Sequence, residues 1–279
     1  MMKKLIVVLM LVLVAGFIGC SKQNPIAPPD DKEMGGSQRP QFIDNRPADV
    51  IQQYTLLNAE PVALDYTPTK ATKYALVIGI SAYAAPNTLQ YCDDDANDWA
   101  AYLTSKGFTV TKLIDKAATK SAITSAVTTL ASHAIAGNTT VLMYSGHGAY
   151  SSSNSNMISV DLYYLSATWL SGLFSNSAST KMFFTFDACQ IGGMKTKLSK
   201  TGRVIDVASS TSTYSYDGTS SMKNGVFTYY QMVGFYSQGY TYAEGDASYA
   251  CTQMKAWAAA NGVTCAPSYY DGYTGNWTF

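Results

Sequence analysis

Two residue types that do acyl chemistry stand at conspicuous places in this chain. One of its two histidines, His147, lies between glycines in MYSGHG (143–148), directly behind an apolar run. Cys189 lies in FDACQIGG (186–193), behind a second apolar run. A cysteine attacks a carbonyl as its thiolate, and an imidazole beside it takes the thiol proton or protonates the leaving group. Alone, each would read as a packing residue, since free cysteine is among the most buried side chains. Together, each closing a strand-like run, they read as a nucleophile and its acid–base partner. Gly146 and Gly148 let the backbone turn and approach a substrate while their N–H groups stay free as donors. The other histidine, His133, follows a helical stretch and reads as a surface or capping residue.

Strands must bring these two residues together. KYALVIGI (73–80), FTVTKLID (108–115), NTTVLMYSG (138–146), KMFFTFDA (181–188) and GRVIDVASS (202–210) read as strands, with a short terminal strand near 273–279. DANDWAAYLTSKG (95–107), 119–135, 166–174, 225–237 and 246–262 have helical spacing. Alternating strands and helices predict an α/β fold: a mainly parallel central sheet of about six strands with helices on both faces, a three-layer sandwich. Ligands bind such sheets outside the carboxyl ends of the strands, where YSGHG and FDACQIGG both fall.

Composition narrows the partners. Net charge is zero and 14% of residues are charged, so the chain offers no basic surface for nucleic acid. Residues 1–20 have a basic start at Lys3 and Lys4 and an apolar stretch to Ile18, an export signal too short for a confident membrane span. Residues 21–40 are rich in proline, glycine and charge and read as a flexible tether. Residues 41–72 read as a pro-segment or packing arm, and 73–279 as one domain. Cys92, Cys189, Cys251 and Cys265 fall in that domain. Cys251 and Cys265 could bridge in an oxidising compartment, although connectivity is open. No CxxC pair, HExxH, P-loop or GxGxxG after the first strand is present, so no metal residue is assigned.

ALVIGISAY, YCDDDA, VLMYSGHG and FFTFDACQIGG, in that order, resemble the caspase-like cysteine peptidases (caspases, metacaspases, clostripain and gingipains) and are most similar to bacterial metacaspase-like proteins. The resemblance spans about 73–279. It implies a caspase-like sandwich and a hydrolase with Cys189 as nucleophile and His147 as general acid and base, the backbone N–H groups of Gly148 and Cys189 forming an oxyanion hole. It also implies that Asp95 and Asp187 line an acidic S1 pocket, so that cleavage falls after Arg or Lys. Asp93, Asp94 and Asp98 read instead as helix N-terminal charges. GMKTKLSKTGR (193–203) reads as a polar loop in which the family often has an activating cut, making Lys195, Lys197, Lys200 and Arg203 candidate processing sites in a zymogen. The chain departs from the metacaspase pattern at Gln190 and Ile191, where histidine and serine are usual. Several metacaspases respond to calcium as an activator; a full calcium ligand set does not map onto this chain, and no cofactor is required. FIGC (17–20) resembles a lipobox, which implies lipidation of Cys20 and a membrane-anchored monomer in the bacterial cell envelope. The competing class is a binding or scaffold lipoprotein that keeps the fold without turnover.

Overall fold

The computed structural model describes residues 35–66 and 72–279. Residues 1–34, which hold the expected export signal, Cys20 and most of the expected tether, and residues 67–71 of the expected arm lie outside the described residues. In chain order the elements are β1 (Ser37–Gln38), α1 (Ala48–Gln53), β2 (Thr55–Leu56), β3 (Lys73–Gly79), α2 (Cys92–Ser105), β4 (Thr109–Ile114), α3 (Lys120–Ser132) and β5 (Thr139–Ser145). There follow β6 (Gly148–Ser151), β7 (Asn154–Ile158), β8 (Tyr164–Ser166), α4 (Ala167–Leu173), β9 (Met182–Asp187) and α5 (Gly192–Leu198). The chain closes with β10 (Arg203–Val207), β11 (Tyr216–Asp217), α6 (Val226–Tyr236), α7 (Ala243–Ala260) and β12 (Ser268–Asp271).

The main sheet has six strands in the order β12-β10-β9-β5-β3-β4. All pairs are parallel except β12 on β10. The apolar runs are continuous because both faces are covered. Leu76, Ile78, Leu142, Tyr144, Phe184 and Phe186 point to one core with α3, α4 and α5. Their neighbours Ala75, Val77, Val141, Met143 and Phe183 point to the other, with Trp99 and Tyr102 of α2 and Met232 and Phe235 of α6. The expected sandwich is therefore present. The last strand, however, is Ser268–Asp271; the segment expected to form it instead buries Trp277 among the α2 and α6 side chains.

Two small sheets were not apparent from the sequence. A four-stranded sheet, β2-β8-β7-β6, begins at Gly148, one residue past His147. A two-stranded antiparallel sheet pairs β1 with β11. The first draws part of the 41–72 arm onto the domain through β2. The second recruits Ser37 and Gln38, from the stretch read as tether.

Candidate active site

Strands β5 and β9 are direct neighbours in parallel register, with Ser145 opposite Asp187. His147 and Cys189 each lie two residues beyond that pair, at the carboxyl edge of the sheet. A Cβ on Gly148 would overlap the Cys189 carbonyl oxygen, and one on Gly146 would meet the hydroxyls of Tyr144 and Tyr83 at 2.6 and 2.8 Å. Close approach therefore requires both glycines, and neither needs a left-handed backbone. Gln190 does adopt one, at φ 51°. Its N–H donates to Thr213 O at 2.9 Å, and its carbonyl accepts from Ser155 Oγ at 2.6 Å. These bonds hold the turn that presents the thiol.

His147 is 1% exposed. Its Nε2 lies 2.7 Å from the Asn87 carbonyl, which can only accept, so Nε2 carries the proton. Nδ1 is then a bare lone pair, buried and without a hydrogen-bond partner. Burial lowers the His147 pKa to about 4, against the raising effect of the Asn87 bond, so the ring is neutral at pH 7. Burial also pushes the Cys189 thiol up to about 11, although the Ser215 N–H, which donates to Sγ at 3.4 Å, and the nearby Arg39 pull the other way. Both groups are thus neutral at rest.

Asp95 and Asp187 share one buried pocket beside the thiol, and the structure adds a third carboxylate, Asp217 of β11. Each is held by the protein: Asp95 accepts from Ser145 Oγ (2.6 Å) and Gly225 N (2.8 Å), and Asp187 from Ser215 Oγ (2.5 Å) and Thr228 Oγ1 (3.0 Å). The pocket is filled by Arg39, which is 0% exposed. Its Nε reaches Asp217 at 2.8 Å, Nη2 reaches Asp95 at 3.0 Å, and Nη1 reaches the Asp187 carboxylate at 3.2 Å and carbonyl at 2.5 Å. Burial alone would lower the guanidinium's pKa; the charges of Asp187, Asp217 and Asp95 outweigh it and hold the group above its ordinary value. Asp95 is pushed up to about 8 by burial and then by Asp187, with Arg39 pulling it back.

The backbone around Arg39 follows the site. β1 pairs with β11, the Arg39 N–H donates to Ser215 O at 3.1 Å, and the Cys189 thiol lies 3.9 Å from the Arg39 carbonyl oxygen. Downstream, Phe42 packs against His147 with ring centroids 5.4 Å apart. Ile43 exchanges two hydrogen bonds with the Asn87 side chain, at 2.9 and 3.0 Å.

Other expectations fare unevenly. Residues 193–203 are not a polar loop: Met194 and Leu198, four apart, are buried on α5, and Arg203 begins the core strand β10. Arg203 donates to the carbonyls of Leu198 and Phe174, so it is inaccessible to a peptidase in the folded chain. Lys195 and Lys197 both sit in α5; Lys195 bonds Ser268 Oγ, whereas Lys197 and Lys200 are exposed. The four domain cysteines are free thiols, Cys251 and Cys265 included. Asp93 and Asp94 do lie in the first turn of α2, whereas Asp98 accepts from Asn224. His133 ends α3 and stacks on Tyr74 at 4.0 Å. Asp217 was missed, although the stretch TYSYDG that holds it lies just past the fifth strand.

The family model described as the caspase domain, Peptidase C14, matches residues 72–259. Among solved structures, protein GSU0716 from Geobacter sulfurreducens aligns with a TM-score of 0.54 and 17% identity, over 74% of this chain and 95% of that one. At that identity the likeness concerns the fold alone. No curated protein matches the chain.

Proposed function

The chain belongs to the caspase-domain family of peptidases, and from that premise we propose that it is a metacaspase-type cysteine endopeptidase cutting after arginine or lysine through Cys189 and His147. The observation that carries this reading is Arg39, whose guanidinium satisfies three carboxylates while its carbonyl stands over the thiol. A substrate arginine would sit the same way. The donors of the guanidinium fork meet Asp217, Asp187 and Asp95 separately, a match that a lysine ammonium cannot reproduce, so arginine is preferred.

In turnover the His147 Nδ1 lone pair takes the Cys189 proton as sulfur attacks the carbonyl carbon. Backbone N–H groups at Gly148 and Cys189 receive the developing oxyanion. The C–N bond breaks, His147 returns the proton to the leaving nitrogen, and a thioester remains. Water, deprotonated by the same nitrogen, releases the acid. Asn87 O fixes the ring tautomer throughout. Dyad chemistry needs only these protein groups, with calcium as an activator to be tested by addition.

The same reading places the chain in the bacterial envelope, anchored through a lipid on Cys20, and confines any self-processing within 193–203 to the exposed Lys197 and Lys200. The experiment is hydrolysis of fluorogenic peptides ending in Arg, Lys, Asp or Asn, by the full chain and its Arg39→Ala variant, with and without calcium. Release after Arg, weaker release after Lys, and none with Cys189→Ala is the expected result. Release after Asp or Asn would overturn the pocket; no release from any peptide would favour the scaffold.

A further inference from the structure

Arg39 is followed by Pro40, and the bond between them is the one presented to Cys189. We propose that residues 37–43 are a built-in substrate mimic that Pro40 keeps from being cut, so that the intact chain blocks its own active site. This rests on the peptidase reading above and adds to it why the seated arginine is an inhibitor and not a substrate.

The segment is shaped for the site. Gly36 enters at φ +130°, and a Cβ there would meet the Asp217 carbonyl oxygen at 2.7 Å and Trp257 at 2.8 Å, so glycine alone lets the chain lie this close. A residue before proline is confined to extended backbone, the conformation in which β1 pairs with β11 and Arg39 bonds Ser215. Pro40 thus lowers the entropic cost of docking.

The same ring opposes cleavage. For the Arg39–Pro40 bond to break, Sγ must bond the carbonyl carbon and the nitrogen must take a proton from His147. In an ordinary peptide that nitrogen carries a hydrogen; in proline it carries Cδ, whose bulk stands where the imidazole must approach. The downstream side is clamped as well, by Phe42 on His147 and Tyr164 and by Ile43 on Asn87.

The test compares full chains carrying no substitution, Pro40→Ala, Pro40→Ala with Cys189→Ala, and Arg39→Ala, read by intact mass and by hydrolysis of an Arg-coumarylamide peptide. Pro40→Ala is expected to cut itself after Arg39, giving a new N-terminus at position 40. The unsubstituted chain and the double variant are expected to stay whole at that bond. Arg39→Ala is expected to hydrolyse the peptide at least about 100-fold faster than the unsubstituted chain, because it loses an inhibitor held at millimolar effective concentration. The proposal is overturned if the unsubstituted chain cuts after Arg39 as fast as Pro40→Ala. It is also overturned if the peptide is hydrolysed equally by all chains with an intact Cys189. If none of them hydrolyses it, the peptidase reading fails and the lock with it.

Discussion

Replacing Arg39 by alanine in a Cys189→Ala background tests the pocket without any turnover. The perturbation removes a cation that faces three buried carboxylates, all within hydrogen-bonding distance of it. Breaking a buried ion pair by deleting one partner costs about 3–5 kcal/mol. Here the arm can leave and admit water, so the lower end, about 3 kcal/mol, is expected. For a domain of this size about 2–4 °C of melting temperature accompanies each kcal/mol, so Tm should fall by about 6–12 °C at pH 8.

The pH dependence has a definite sign. Asp95 is held at about 8 in the folded state, above the ordinary carboxylate value, and Arg39 is what restrains it from rising further. A group raised in this way contributes stability below its unfolded pKa and loses it as pH rises through the folded value. Without Arg39 that loss deepens. The deficit of the variant should therefore be small near pH 4 and largest near pH 9. Salt should alter it little, because buried charges are weakly screened, and benzamidine, a free amidinium, should restore part of it. The assay is differential scanning calorimetry across pH. A change within about 1 °C at pH 8, far below what 3 kcal/mol implies, would refute the seating of Arg39.

Three further outcomes follow from the same geometry. Iodoacetamide should alkylate Cys189 slowly in the intact chain, with the rate rising about tenfold per pH unit towards the thiol's value of about 11, and faster in Arg39→Ala, where the covering arm is released; alkylation at the rate of a free thiol in the intact chain would contradict the burial. Asp217→Asn, placed in the Arg39→Ala chain, should lower kcat/KM for Arg peptides about 10–100-fold, the loss of one charge-assisted hydrogen bond of about 1.5–3 kcal/mol, with alkylation of Cys189 unchanged. Asp206, buried beneath the sheet and raised to about 7 by that burial, should cost stability as pH climbs from 4 to 7. Asp206→Asn should therefore raise stability at pH 8.5 by up to roughly 4 kcal/mol, seen as a higher Tm, with the gain vanishing near pH 4; no gain at pH 8.5 would show the acid is not strained by burial.

What could be read from sequence here, and what could not, divides along one physical line. The five parallel strands, and the placement of His147 and Cys189 at one edge of the sheet, were legible because each rests on a local pattern: an apolar run buried on both faces, then glycines where backbones meet. Asp95 and Asp187 were recognisable only through resemblance, since a carboxylate at a helix start reads equally well as an N-terminal charge. GMKTKLSKTGR misled because its lysines suggest solvent, while Met194 and Leu198 on one helical face and the Arg203 guanidinium, donating to Leu198 O and Phe174 O, decide its place. Arg39 was the least legible of all. It sits in a stretch rich in proline, glycine and charge, a composition with too little apolar surface to build a core. It can nevertheless bind one, as a substrate does, through a two-residue strand pairing and a single side chain. The partners of that side chain lie as few as 56 and as many as 178 positions away in sequence. Periodicity cannot register such a contact, because its energy comes from charge complementarity at one point rather than from a repeated apolar face.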